Sequence, residues 1–262
     1  MTFDPSLTDV LAVLSGSVVG LTLGVVGGGG SILAVPLLLY VVGMENTHIA
    51  IGTSALAVSV NAFTNLIAHS RAGNVKWPCA IVFGLSGVAG AFIGSTLGKL
   101  VDGEKLLFAF GLVMVAVGLA MLRPRQADGD PAVSISPLIA VRLIAIGLLT
   151  GLLSGFFGIG GGFLIVPGIM LGSGMAMLNA VGSSLFSVGA FGLTTAITYA
   201  QDGLVNWVLA AEFIAGGIVG GLGGLTLAQR LAAHKGALSR VFAGVVLMVA
   251  GYVLWRSAGA WT

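Results

Sequence analysis

Long apolar stretches follow one another along this chain and alternate with short polar segments. Stretches of about 20 apolar residues, the length that crosses about 30 Å of hydrocarbon as an α-helix, recur from Leu7 to Trp255. The pattern therefore predicts an all-α polytopic membrane protein. Residues 1–8 contain Asp4 and no Lys or Arg, so they lack the basic region of a cleaved signal peptide. The stretch 7–26 is interpreted as the first membrane helix.

The chain contains the same pattern twice. Residues 16–36 and 147–167 share ten identities in 21 positions, and each has a glycine-rich interruption followed by a short apolar segment that includes proline. Farther along, Gly-Thr-Ser at 52–54 matches Gly-Ser-Ser at 182–184, and a Gly-x-Val-x-Trp segment also occurs twice, at an offset of 130. These matches indicate a duplicated unit.

We predict two repeats of about five membrane segments each, with short broken helices after the glycine-rich interruptions. The N-terminal repeat covers residues 1–123 and the C-terminal repeat covers 138–262, and a polar linker, 124–137, joins them. The predicted segments of the first repeat are 7–26, 31–43, 47–68, 77–100 and 105–122. Those of the second repeat are 138–157, 162–172, 178–200, 207–229 and 238–255.

The short segments 31–43 and 162–172 leave the number of membrane crossings open. If both turn back, the chain crosses eight times, and the loops carry six Lys or Arg residues on one side and five on the other. If both cross, there are ten crossings and the count is eight against three. The second count is the bias typical of cytoplasmic loops, and it favours inverted repeats with both termini outside.

Composition narrows the class of protein further. Hydrophobic residues make up 57% of the chain and charged residues 8%, and the mean hydropathy is +1.09, whereas soluble domains carry about 25% charged residues. A net charge of +2, spread over short loops, predicts no nucleic-acid partner. The single cysteine, Cys79, excludes an intrachain disulfide, and the three histidines lie at predicted helix ends without metal-ligand spacing. We therefore expect no cofactor and no metal.

The glycine interruptions are the strongest candidates for a site. Helices that restart at Gly30-Ser31 and Gly161-Gly162 would have free backbone N–H groups in their first turns, and two such ends would hold an anion without Lys or Arg. The alternative is a pair of tight packing turns. The substrate-binding residues predicted here are Gly29, Gly30, Ser31, Gly160, Gly161 and Gly162.

Polar side chains on otherwise apolar helices are the next candidates for substrate binding. They are Thr53, Ser54, Asn61, Asn65, Ser183 and Ser184. Hydroxyls of this kind often bond only to a carbonyl one turn back, but a carboxamide in lipid needs several partners. Glu212, which replaces Val82 of the first repeat, is a possible proton-coupling group, although its position near a helix end would also let it reach headgroup water.

One motif suggests catalysis. Gly84-Leu85-Ser86-Gly87 matches the GxSG around the nucleophile of rhomboid-like intramembrane proteases, whose chemistry requires a histidine base on a later helix. The only later histidine, His234, lies in a polar loop. The repeat pattern assigns Gly87 to a packing helix, so we predict no enzyme.

The repeated glycine interruptions, the Gly-Thr-Ser and Gly-Ser-Ser segments, and the two Gly-x-Val-x-Trp segments resemble the TauE/SafE sulfite exporter family over nearly the whole chain. The resemblance implies transport of sulfite or a related sulfur-containing anion across a prokaryotic plasma membrane. The expected partners are a small anion and the lipid bilayer, with protons as a possible coupling ion and a homo-oligomer as a possible assembly. An anion channel of the same fold is the first alternative, and an intramembrane hydrolase that uses Ser86 is the second. The repeats differ at Gly28 against Ile159 and at Ser31 against Gly162, so the two half-sites are not identical.

Overall fold

The structure is a computed structural model that describes residues 5–122, 129–158, 162–234 and 236–257. The named elements of these residues are all helices, which confirms the all-α fold class. In the first repeat they are α1 (Pro5–Val26), the 3-10 helix η1 (Gly27–Leu33), α2 (Ala34–Tyr40), α3 (Thr47–Arg71), α4 (Trp77–Gly98) and α5 (Gly103–Leu122). In the second repeat they are α6 (Pro137–Phe157), α7 (Gly162–Ser173), α8 (Met177–Ala200), α9 (Trp207–Ala232) and α10 (Ala237–Ser257).

Eight stretches of the described residues are long and apolar enough to cross a membrane. The first, Leu7–Tyr40, includes α1, η1 and α2, and a shorter apolar helix, α7, has 12 residues. The apolar windows of α3 and α8 are each 72% buried, whereas those of α5, α6 and α9 are each 33% buried. Helices α3 and α8 therefore form the centre of the bundle, and the other long helices surround them.

Helices α1 and α3 run parallel. The Nδ2 atom of Asn65 donates to the Gly20 carbonyl at 3.4 Å, and Nε2 of His69 donates to the Gly24 carbonyl at 2.8 Å, so residue numbers rise together along both helices. We call the end of the bundle at which α1 and α3 begin the near face, and the opposite end the far face. The chain between the two helices therefore returns from the far face to the near face.

Two glycine-lined helix interfaces join the repeats to each other. The first seam is the α1/α9 interface, where a β-carbon added to Gly20 would lie 1.9 Å from the Gly217 carbonyl oxygen. The second seam is the α4/α6 interface, where a β-carbon added to Gly151 would lie 2.0 Å from the Gly87 carbonyl oxygen. In lipid, small residues allow this close approach of helix backbones. Each seam pairs a helix of one repeat with a helix of the other.

The central helices α3 and α8, which match each other in the sequence repeat, run in opposite directions. Gly52 near the start of α3 lies against Tyr199 near the end of α8. At mid-length, the Ser59 hydroxyl donates to the Gly189 carbonyl at 2.7 Å. Thus the near-face end of α3 meets the C-terminal end of α8.

Both short segments fold back along the helix that precedes them. In the second repeat, Gly168 of α7 lies against Thr150 of α6, and Gly172 lies against Leu143. In the first repeat, Gly30 packs on the backbone of Thr22 and Leu23. Each short segment therefore runs opposite to its long neighbour.

The first short segment differs from the helix predicted over 31–43. The chain forms a 3-10 helix through Leu33, and the α-helix extends only over Ala34–Tyr40. Gly27 adopts a φ of +62°, which L side chains rarely adopt, and this residue starts the turn back along α1. The Ser31 hydroxyl donates to the Gly28 carbonyl, three residues earlier, at 2.8 Å. These local contacts tighten the segment, so the α-helix starts later than the glycine pattern predicts.

Candidate functional site

The two short segments meet at glycine. A β-carbon on Gly28 would lie 2.4 Å from the Gly162 carbonyl oxygen, and a β-carbon on Gly162 would lie 1.8 Å from the Gly28 carbonyl oxygen. Both distances are far below van der Waals contact, so each position accepts only glycine without a shift of the backbone. The structure thus brings the start of η1 and the start of α7 into direct backbone contact.

The first glycine interruption is completely enclosed. Residues Gly27 to Gly30 and Ser31 are buried. Gly29 packs on the ring of Phe242, and Gly30 packs on Leu23, where an added β-carbon would lie 2.2 Å from the backbone nitrogen. The Thr22 hydroxyl also donates a hydrogen bond to the Gly30 carbonyl oxygen at 3.4 Å. The interruption is therefore held from several sides.

The second interruption is described in part. Gly158 has a φ of +66° and ends α6 against the side chain of Ile51, one turn into α3. Gly162 begins α7 and is buried. Gly160 and Gly161, which the sequence analysis includes in the substrate site, lie outside the described residues.

A serine of the second repeat contacts the first interruption directly. The Ser184 hydroxyl accepts a hydrogen bond from the Gly28 backbone N–H at 3.1 Å and donates to the Val181 carbonyl at 2.7 Å. Its sequence counterpart, Ser54, donates to the Ile51 carbonyl at 2.9 Å. Ser184 is thus the predicted site residue that links α8 to the glycine backbone.

Thr53 and Ser183 tie the two repeats together. The Thr53 hydroxyl accepts from the backbone N–H of Asn206 at 2.9 Å, and the Ser183 hydroxyl accepts from the backbone N–H of Lys76 at 2.9 Å. Asn206 caps α9 and Lys76 precedes α4, so each hydroxyl holds the start of a seam helix that belongs to the other repeat. These matched contacts give both residues a structural role.

A polar stripe of α3 faces the first seam. Its residues, one helical turn apart, are Asn61, Asn65 and His69, and all three side chains are buried. The Asn61 amide occupies the space beside Gly217, and the Asn65 amide lies beside Gly24 and Gly221. Among the described residues, neither amide atom of Asn61 has a hydrogen-bond partner, nor do Oδ1 of Asn65 and Nδ1 of His69. We call these three residues the α3 stripe.

The matching residues of α8 face the second seam and have a different chemistry. They are Phe191, Thr195 and Tyr199, which correspond to Asn61, Asn65 and His69 at the offset of 130. The Phe191 ring fills the space beside Gly87, as Asn61 does beside Gly217. We call these residues the α8 stripe. The four-residue spacing of Asn61, Asn65 and His69 is visible in the sequence. Because Phe191 replaces Asn61 in the second repeat, the residue types alone do not show that the two stripes occupy matching positions.

Glu212 lies apart from the glycine contact. It is six residues into α9, near the end that Thr53 holds, and its side chain is half-buried. One of its carboxylate oxygens, Oε2, is buried with no hydrogen-bond partner in the described part of the chain. The structure thus places Glu212 toward the near face rather than beside Gly28.

Ser86 and His234, the two residues of the catalytic hypothesis, each have a local hydrogen-bond partner. The Ser86 hydroxyl donates to the Phe83 carbonyl at 3.0 Å and lies against Gly147 in the second seam. His234 is exposed after the end of α9, and its Nδ1 lies 3.2 Å from the carbonyl oxygen of Arg230. These contacts fit the packing role that the repeat assigns to the Gly87 region.

Comparison with known proteins gives a consistent result over nearly the whole chain. Residues 12–253 match the family described as Sulfite exporter TauE/SafE. A probable membrane transporter protein of Xylella fastidiosa strain Temecula1 is 55% identical over 249 residues, 95% of each chain. Probable membrane transporter proteins of Bacillus subtilis and Methanocaldococcus jannaschii are 27% and 28% identical, over 86% and 76% of this chain and 90% and 72% of their own.

Proposed function

The chain belongs to the TauE/SafE family of multi-pass membrane transporters, and from this premise we propose that it carries sulfite or a related sulfur-containing anion by alternating access. The contact between Gly28 and Gly162 is the observation that carries the proposal. It brings two chain interruptions, one from each repeat, to a single position next to the central helices.

This position has the chemistry for an anion. The first N–H groups of α7 have no intrahelical acceptor and lie at the partially positive end of the helix, as predicted for the substrate site. The Ser184 hydroxyl adds a polar group at Gly28. Backbone N–H groups and hydroxyls can replace the hydration of a small oxyanion without a buried Lys or Arg. We assign Gly29, Gly30, Ser31, Gly162, Ser54 and Ser184 to the substrate site, with Asn61 and Asn65 beside it.

The arrangement of the repeats supports alternating access. Matched helices α3 and α8 are antiparallel, and each seam joins one repeat to the other, so the proposed inverted halves can rock as paired units about the glycine contact. Residues Gly27 to Ser31 are buried, and we propose that the cycle exposes them to each face in turn.

The near face has a polar closure between the repeats. Lys99, at the end of α4, forms an ion pair with Asp202 after α8, and its ammonium group donates to the Thr198 carbonyl at 3.1 Å. The described Lys and Arg residues of the far face are Arg71, Lys76, Arg142, Arg230 and Arg240, and those of the near face are Lys99, Lys105 and Arg256. This bias supports a cytoplasmic far face. We propose that Lys99 and Asp202 close the external side.

The experiment that tests the function is anion flux in vesicles reconstituted with the purified protein. Uptake of sulfite, thiosulfate, sulfoacetate, sulfate and organic carboxylates is compared, and we expect saturable uptake and counterflow for the sulfur-containing anions. Flux that does not saturate and shows no counterflow would identify a channel instead. Absence of flux for every sulfur-containing anion would overturn the proposed cargo.

The site is tested with glycine variants and a matched control. Gly162→Val and Gly30→Val should abolish flux, because each new side chain would meet backbone atoms of Gly28 or Leu23. Gly244→Val of α10 is the control, since a β-carbon there meets nothing within 4 Å. Unimpaired flux in a correctly inserted Gly162→Val variant would contradict the site assignment.

A further inference from the structure

We infer that His69 is a proton-binding site that couples proton movement to anion transport. The inference rests on the proposed function and adds the coupling ion to it. It is based on the hydrogen bonds of the α3 stripe, in which two buried acceptor atoms have no donor among the described residues.

The hydrogen bond to α1 determines which nitrogen of the neutral His69 ring carries the hydrogen. A carbonyl oxygen only accepts, so Nε2, 2.8 Å from the Gly24 oxygen, carries the hydrogen. In a neutral imidazole the other nitrogen, Nδ1, is then an acceptor. That atom is buried and has no partner among the described residues.

The Asn65 amide is fixed in the same way and also leaves an acceptor. Its Nδ2 group donates to the carbonyl of Asn61 at 3.0 Å and to that of Gly20 at 3.4 Å. Its oxygen, Oδ1, is buried and has no partner in the described part of the chain. Asn65 precedes His69 by four residues, so both side chains lie on one face of α3.

One proton satisfies both acceptors. Two buried acceptors without a donor are unfavourable, because each has lost its bond to water without replacement. Protonation of His69 turns Nδ1 into a donor, and Asn65 Oδ1, one helical turn earlier on the same face of α3, is the acceptor that we assign to it. The Gly24 carbonyl continues to accept from Nε2. The imidazolium then has an acceptor at each nitrogen, and the stripe is satisfied.

The charged groups around His69 make its protonation depend on the presence of the anion. The titratable groups of the elements around His69 are Asp9 of α1, His48 and Arg71 of α3, Lys76 after α3, Tyr199 of α8, and Glu212 and Arg230 of α9. The carboxylates Asp9 and Glu212 lie toward the near face, whereas the far-face groups nearest to His69 along the chain, Arg71 and Lys76, are cationic. A further positive charge here is unfavourable until an anion arrives.

The anion site is close enough to supply that charge. The carbonyl that accepts from His69 belongs to Gly24, and the glycine interruption starts three residues later at Gly27. An anion at the interruption would therefore favour the imidazolium, and the imidazolium would favour the anion. The proton is taken from water on one face and released to water on the other, together with the anion.

Transport measurements test the coupling. Sulfite flux is measured in reconstituted vesicles between pH 5.5 and 8.5 with a fixed internal pH, and proton movement is followed with an internal pH-sensitive dye. His69→Gln keeps a side-chain donor for Gly24 but cannot titrate in this range. We expect the number of protons moved per sulfite transported to fall at least tenfold in His69→Gln. Glu212→Gln, which changes the other candidate coupling residue, should keep the wild-type ratio. An unchanged His69→Gln variant, or loss of the coupling in Glu212→Gln alone, would overturn the inference.

A second variant separates a proton site from a structural role. Asn65→Asp places a carboxylate one turn from His69, and this charge favours the imidazolium. The pH dependence of flux should therefore shift to higher pH in Asn65→Asp. A structural role alone would lower the flux at every pH without moving the profile, which would contradict the inference.

Direct observation of the ring makes the test independent of the cargo. Nitrogen NMR of protein with labelled histidine should show a signal, absent in His69→Gln, that changes from a neutral to a doubly protonated ring upon acidification. If the wild type carries no sulfite but this change occurs, the proposed cargo fails and the proton site remains. If the ring stays neutral until the protein unfolds, the proton site fails and the transport proposal is unaffected.

Discussion

The two seams share one backbone geometry but are covered by different side chains. In each seam a glycine-lined helix of one repeat packs on a glycine-lined helix of the other, and a central helix lies across it. The α3 stripe covers the first seam with Asn61, Asn65 and His69, and the α8 stripe covers the second with Phe191, Thr195 and Tyr199. Glycine thus determines the packing twice. Within the described part of the chain, the unpartnered groups at the first seam are amides and an imidazole, whereas those of the α8 stripe are the hydroxyls of Thr195 and Tyr199.

The difference is clearest at the residues beside Gly87 and Gly217. An aromatic ring beside Gly87 fills its space and stacks on Phe83, with ring centroids 6.4 Å apart, and needs no hydrogen bond. An amide beside Gly217 fills the corresponding space but leaves polar atoms without partners. A buried polar group without a partner is costly, and the proposed substrate region includes this amide.

The largest expected effect is a loss of stability when a glycine of either seam is replaced. Gly20→Leu and Gly151→Leu should each cost more than about 3 kcal/mol of stability, because the new side chain meets a carbonyl of the facing helix rather than a movable side chain. Size-exclusion profiles of the two variants in detergent should lose the monodisperse peak to a similar extent. A normal profile for one variant and not the other would show that the seams differ in packing as well as in chemistry.

The next effect concerns the aromatic ring of Phe191 in the α8 stripe. Phe191→Asn should destabilise the protein by about 3–5 kcal/mol, because it removes the ring beside Gly87 and leaves an amide among apolar groups. Thermal unfolding in detergent measures the loss. The control is Leu193→Asn, on the same helix at a position with 42% exposure. Equal losses in the two variants would contradict a special role for the Gly87 contact.

The converse change at the polar stripe should stabilise the protein. Asn61→Leu replaces an unpartnered amide by an apolar side chain of similar size, so a gain of about 1–3 kcal/mol is expected. Sulfite flux should fall at the same time, because the amide belongs to the proposed substrate region. Unchanged flux together with a raised unfolding temperature would remove Asn61 from that region.

The smallest effect on stability is expected at the near face. Lys99→Ala breaks the ion pair with Asp202, and since Asp202 is half-exposed the loss should be about 0.2–1 kcal/mol. Labelling of single cysteines in the α8–α9 loop should nevertheless increase if the pair closes this face. A double variant with the charges exchanged, Lys99→Asp with Asp202→Lys, should restore the low labelling. Identical labelling in all three proteins would exclude a closing role.

Much of this protein was determined by sequence alone. Apolar stretches separated by short polar segments gave the all-helical membrane fold, and the residues at which α3, α4, α7 and α9 begin, Thr47, Trp77, Gly162 and Trp207, coincide with the predicted starts. The duplicated glycine interruptions and the Gly-Thr-Ser and Gly-Ser-Ser segments identified the region in which the short segments meet. These features are local, since hydrophobic length, glycine and proline act within a few residues along the chain.

Only the tertiary structure decided how the two repeats meet. No local pattern pairs Gly28 with Gly162, Thr53 with the start of α9, or His69 with the Gly24 carbonyl, because these contacts depend on how distant helices pack. The contact of Gly30 with the backbone of α1 was decided in the same way. Histidine at position 69 is an ordinary helix-end residue in the sequence. It becomes a candidate proton site because the fold buries it and gives one ring nitrogen an acceptor while the other has no partner in the described chain.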